Sequence, residues 1–140
     1  MIVVLALLLL VSPPHFGAAP GWHIGSGSSW GWASTVRYRD CPSCVPPHQT
    51  LAHLPPSGIL IQLTNSREQP SHAQPARWPP RIRQKNLRRG GAEGIPRRVS
   101  YAHWFIRSRG VEHYLWLWFG RAHPTRRQLA RANAELATVR

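Results

Sequence analysis

A shortage of aliphatic side chains constrains this chain most. Past Gly21, only 22 of 119 residues are Leu, Ile, Val or Phe. The formal net charge is +13, and residues 1–36 carry no charged side chain. Low apolar content with high net charge marks a chain whose burial cannot offset its ordering entropy. Fourteen prolines and eleven glycines sharpen the difficulty, since Pro removes backbone donors and Gly adds unfolded-state entropy. Seven tryptophans pull the other way, but they are scattered rather than periodic. The expectation is a mostly disordered or irregular chain. Its ordered parts would be a short N-terminal apolar helix, one C-terminal amphipathic helix and a short strand at 59–64. A length of 140 residues holds one domain at most.

Ile2 to Val11 is an unbroken apolar run, closed by Ser12-Pro13-Pro14. Ten helical residues rise about 15 Å, half of what a bilayer span requires. The run therefore predicts the core of a secretory signal rather than a transmembrane span. Small residues follow at Gly17-Ala18-Ala19, and a cut after Gly21 would leave Trp22 first. Secretion is the expected location, with an intracellular protein that keeps its N-terminus as the alternative. Three segments result. Residues 1–21 are signal-peptide-like. Residues 22–98 form a low-complexity region, Gly/Ser/Trp-rich and then Pro/Arg-rich, expected to be disordered. Residues 99–140 hold an aromatic segment and the C-terminal helix.

Within the last segment, 111–119 fits strand or helix by pattern alone. The helix is better marked. Thr125 and Gln128 stand at the N-cap and N3 positions of a capping box. Leu129, Ala132, Leu136 and Val139 share one face, with Arg127 and Arg131 opposite. So short a helix needs a surface to pack on.

Cys41-Pro42-Ser43-Cys44 holds the only two cysteines. In a secreted chain they are candidates for one small disulfide. With His48 and His53 they also make a C-x2-C-x3-H-x4-H pattern that resembles a zinc knuckle in miniature, so Cys41, Cys44, His48 and His53 are candidate ligands. The pattern departs from the knuckle in its last ligand, its middle gap and its missing glycines. No cofactor is expected.

Seventeen arginines face a single lysine, Lys85. Forked hydrogen bonding to phosphate favours Arg; a GC-rich, weakly selected reading frame produces the same skew. The tract Arg77, Arg81, Arg83, Lys85, Arg88, Arg89, Arg97 and Arg98 contains one acid, Glu93. It would meet anionic surfaces: glycans or lipid headgroups outside a cell, nucleic acid inside one.

Trp116-Leu117-Trp118-Phe119-Gly120-Arg121 resembles the amidation site of gastrin and cholecystokinin precursors, which end Trp-Met-Asp-Phe-Gly-Arg-Arg. The resemblance covers six residues and differs at the two middle positions. It implies a peptide precursor cut at Arg121, with Gly120 supplying the amide of Phe119, and upstream cleavage at Arg88-Arg89 or Arg97-Arg98.

The five acids, Asp40, Glu68, Glu93, Glu112 and Glu135, are isolated from one another. No nucleophile has a base near it in sequence, and no Gly-rich loop links a strand to a helix. The expectation is a small basic protein without catalytic activity, with the peptide precursor and an arginine-rich RNA-binding protein as alternatives.

Overall fold

The computed structural model describes residues 15–27, 30–41, 43–65, 74–108 and 111–140. The expectation of a mostly disordered chain is wrong. The chain folds around a seven-stranded mixed sheet. Its strands are β1 (His23–Ser26), β2 (Trp30–Ser34), β3 (Ile59–Asn65), β4 (Ala76–Arg77), β5 (Arg88–Arg89), β6 (Ser100–Ser108) and β7 (Val111–Phe119). The described residues also hold two α-helices, α1 (His48–Ala52) and α2 (Arg126–Leu136), and one 3-10 turn at Gln84–Asn86. The apolar N-terminal helix expected over 2–11 lies outside the described residues.

The strand order is β1-β2-β3-β7-β6-β4, with β5 also pairing β6. All pairs are antiparallel except β4 with β6. The segment read as a low-complexity linker thus supplies five of the seven strands. Composition misled because it averages. Eight of the 22 counted aliphatic and Phe residues fall in β3 and β7, the strands that pair with each other mid-sheet.

Side chains alternate across a strand, and the two faces differ. On one face, Ile59, Ile61, Leu63, Leu115, Leu117 and Phe119 are sealed under α2 with Ala33, Ile106, Ala132 and Leu136. Leu129 and Val139 pack on the same cluster, so the apolar stripe of α2 finds its surface on the sheet. Thr125 caps the helix: its hydroxyl accepts the Gln128 N–H at 3.1 Å, and the Gln128 side chain accepts the Thr125 N–H at 2.9 Å.

The segment before β1 belongs to this core. Phe16 is 2% exposed. His15 and Arg140 exchange two backbone hydrogen bonds, at 3.2 and 3.1 Å. Gly17 N–H donates to the Thr138 hydroxyl at 2.9 Å. Arg131 donates to the Gly21 carbonyl and lies over the Trp22 ring. A cut after Gly21 would remove Phe16 from the core and both backbone bonds to Arg140.

Among the described residues the opposite face is covered over one end only. There Leu60 and Trp118 pack with Leu51, Leu54, Ile95 and Val99. The Asp40 carboxylate holds the start of α1, accepting the Gln49 and Thr50 N–H groups at 3.0 and 2.7 Å. Arg98 holds its end, donating to the carbonyls of Leu51, Ala52 and Leu54, where partial negative charge collects. After β7 the chain turns at Gly120, where a Cβ would strike the Pro55 carbonyl oxygen.

Candidate functional site

The strand registers line up the residues of the second face in rows. Ser34, Leu60, Trp118, Tyr101 and Arg88 form the row under α1 and the 95–99 segment. Beyond it lies Gly25, Trp32, Gln62, Trp116 and His103. The next row is Trp30, Thr64, Tyr114 and Phe105. Glu112, Arg107 and Arg77 follow. In the two middle rows Trp30, Trp32, Phe105, Tyr114 and Trp116 are half-buried and His103 is exposed. This half of the sheet presents aromatic rings without being closed over by them.

Glycine makes room for two of these rings. A Cβ at Gly25 would collide with the Trp32 indole, and one at Gly27 with the Trp30 indole. The bare strand β1 is therefore a floor for the tryptophans of β2, a cross-strand pairing of aromatic and glycine. The Gly27 N–H donates to the Trp30 carbonyl at 2.9 Å, closing the hairpin. The stretch that reads as a flexible linker with aromatic residues is this hairpin. The signal available in the sequence was Gly-x-Gly followed, across two serines, by Trp-x-Trp.

The other rings are fixed by one another. His103 stacks on Trp116 with centroids 4.6 Å apart, and Trp116 lies 5.8 Å from Trp118 at 8°. Phe105 and Tyr114 meet at 5.5 Å, tilted by 46°. Tyr38, from the loop after β2, stacks on Trp32 at 4.4 Å. Burial, then the Asp40 carboxylate, push the Tyr38 phenol up to about 12, against a hydrogen bond from Gln62. The His103 imidazole is held below the ordinary histidine value by burial and then by Arg88. Its ring stacks on Trp116 with 18° between the planes.

Cations edge the platform. β4 and β5 both pair β6, so Arg77 and Arg88 border the platform on its β6 side. Arg77 lies in register with Arg107, and Arg88 with Tyr101. Arg81, Arg83 and Lys85 between them are exposed but lie on the α2 side, where Ile82 enters the closed core and bonds through both backbone groups to Asn133; Arg89 and Arg97 are exposed too. Arg98 alone of the tract is occupied in holding α1 and Gly120. Compensating acids are few. Asp40 caps α1, Glu135 is buried at 1% exposure, and Glu68 lies outside the described residues. The ion pair among the described residues is Arg107–Glu112, at 2.6 Å.

The remaining sequence candidates are dispersed. Cys41 and Cys44 form a disulfide. His53 Nδ1 bonds to the Gln49 carbonyl, and His48 lies against Gly94. No group of three or more metal-ligating side chains is present among the described residues. Phe119 is fully buried, paired between Ile59 and Ser100, and Gly120 is buried too. Arg121, where the expected cut would fall, is exposed just past the end of β7. Among the described residues no helix is long and apolar enough to cross a membrane.

No protein-family model, no curated protein and no solved structure matches this chain.

Proposed function

We propose that this chain is a non-catalytic protein that binds single-stranded nucleic acid without strong sequence preference. The observation that carries the reading is the juxtaposition of Trp30, Tyr114, Phe105, Trp116 and His103 on an open half of the sheet with the basic β6 edge. Every base has a π-face, so flat aromatic rings hold bases regardless of sequence, at about 1–3 kcal/mol per base. Bases reach a sheet surface only when unpaired, which favours single strands over duplex. Phosphates then follow the arginines, with a log–log salt slope of about −0.7 per phosphate neutralised. Charge by itself would serve glycans and lipid headgroups equally. The rings favour a ligand with flat faces as well as charge.

The test is quenching of tryptophan fluorescence by oligouridylate and oligothymidylate at several salt concentrations, with heparin as competitor. The expected result is quenching by both oligonucleotides and weaker binding by Trp30→Ala. Binding of heparin as tight as that of the oligonucleotides, unchanged in Trp30→Ala, would mean that charge alone operates and would overturn the reading.

A further inference from the structure

The sheet ends differently at its two edges. Beyond β6 lie β4 and β5, two residues each and built mainly of arginine. At the other edge, among the described residues, β1 has a strand on one side only. Short, charged edge strands resist pairing with another chain, and uncharged ones invite it. β1, His-Ile-Gly-Ser, carries no Lys, Arg, Asp, Glu or Pro. Arg131 reaches the approach to the strand and is engaged there by the Gly21 carbonyl and the Trp22 ring.

Ladder geometry fixes which groups of β1 are free. The Gly27 N–H donates to the Trp30 carbonyl, and the Thr35 N–H to the Ile59 carbonyl. Hydrogen-bonded pairs alternate along an antiparallel ladder. Trp30, Trp32 and Ser34 therefore bond toward β1, and Gly31 and Ala33 toward β3. On β1 the inward residues are His23 and Gly25, so the N–H and C=O groups of Ile24 and Ser26 point away from the sheet. Among the described residues nothing bonds to those outward groups. Ile24, at 40%, is also the exposed large hydrophobic side chain among the described residues.

We propose that β1 pairs antiparallel with β1 of a second copy of this chain, joining two sheets into one when both copies sit on the same nucleic-acid strand. With Gly25 on the two-fold axis, Ile24 exchanges two backbone bonds with the partner's Ser26, and Ser26 exchanges two with the partner's Ile24. This register satisfies all four outward groups of each copy. Gly25 brings no side chain to the axis, and the Trp32 indole already lies over it.

The face and the charge both favour a second copy as the occupant. A two-fold axis normal to the sheet keeps both aromatic faces on one side, with the Trp30 and Trp32 hairpins adjoining. It also sets the two β6 edges about 50 Å apart at the usual strand spacing, far beyond the screening length of about 8 Å. The net charge of +13 is thus held away from the seam, whereas an acidic peptide would be drawn to the arginines of the opposite edge. Four backbone bonds and one isoleucine fall short of the about 1,000 Å² that a stable interface needs. Pairing is therefore weak in the free protein and strengthens where a shared strand raises the local concentration. That consequence rests on the nucleic-acid reading; the pairing itself does not.

The test compares the full chain with Ser26→Pro and Ile24→Lys. The proline removes an outward N–H that β2 does not use, and the lysine charges the edge. Both variants should keep the parent's circular dichroism; if the proline costs the fold, the lysine variant alone decides. Affinity is measured for oligouridylates of about 8 nucleotides, one site's length, and about 32, room for two. The second copy should bind the longer oligomer about ten-fold tighter than the first. The variants should lose that gain and keep the parent's affinity for the short oligomer. Without ligand, the Ile24 and Ser26 amide resonances should move as the parent is concentrated to millimolar and stay fixed in Ile24→Lys. Independent binding by the two copies, or a gain that Ile24→Lys retains, overturns the joined platform. Ile24 and Ser26 resonances indifferent to concentration overturn the pairing, including the case where the chain's own residues protect them. Resonances that respond to concentration, with no oligonucleotide bound by any form, uphold the pairing and overturn the nucleic-acid reading instead.

Discussion

The two faces of the sheet are built from the same strands to opposite ends. In β3, Ile59, Ile61 and Leu63 are at most 1% exposed and close against α2. The intervening Leu60, Gln62 and Thr64 turn the other way, toward α1 at one end and toward open aromatic rows at the other. β7 repeats the division, with Leu115, Leu117 and Phe119 on the closed face and Tyr114, Trp116 and Trp118 on the other. Branched aliphatic side chains, with Phe16 and Phe119, fill the side that must exclude water, and Trp22, Trp78 and Trp104 pack at its margin. Large flat rings occupy the side left partly wet, where an amphipathic ring tolerates both environments. One face supplies stability, and the other is free to supply contact.

That division is breakable. The largest effect should come from the closed face: Phe16→Ala empties a site that is 2% exposed and should cost about 3–5 kcal/mol in a denaturant titration. Signal-type removal of residues 1–21 should cost no less, since it deletes the same ring and the His15–Arg140 bonds. Binding by the molecules that remain folded should be unchanged. On the open face the order reverses. Trp30→Ala should weaken oligonucleotide binding by about 1–3 kcal/mol, roughly 5- to 150-fold, with a smaller loss of stability.

Smaller changes sharpen the contrast. Thr125→Ala removes the cap of α2 and should cost about 1 kcal/mol of stability, with affinity untouched. Arg107→Gln should flatten the log–log salt slope by about 0.7. Its exposed pair with Glu112 should contribute well under 1 kcal/mol to stability. Glu135 gives the smallest effect and a pH signature on the closed face, where His113 of β7 is also buried and held below the ordinary histidine value. Burial raises its carboxyl above the usual range, with the Thr138 side chain and Arg131 opposing only in part. The folded state therefore holds the proton more tightly than the unfolded state. Its contribution favours folding below the unfolded value of 4.5 and is lost as pH rises through the folded value. Glu135→Gln should remove that fall, and its melting temperature should exceed that of the parent at pH 7 but not at pH 4.

The legible parts of the sequence were those set by short-range chemistry. Thr125 and Gln128 announce α2, and the β-branched run from Ile59 announces β3, because caps and alternation act within a few residues. The bonded pair Cys41 and Cys44 is likewise local. The hairpin of β1 and β2 was not legible as a fold, because Gly25 and Gly27 read as flexibility until Trp32 and Trp30 lie against them. β4 and β5 span two residues each and exist only because β6 offers an edge. Asp40, isolated in sequence, finds its role nine and ten residues away at the start of α1. The basic tract was visible as charge. The placement of Arg77 and Arg88 beside the aromatic rows depends on the order of strands, which no local pattern encodes.

Amide chemical-shift mapping of the labelled chain titrated with oligouridylate tests the division of faces most directly. Perturbations should concentrate on Trp30, Thr64, Tyr114, Phe105, Trp116 and His103 and on the adjoining Arg77 and Arg107, leaving α2 unmoved. Perturbations centred on α2, or spread along the arginines without touching the aromatic rows, would contradict the account.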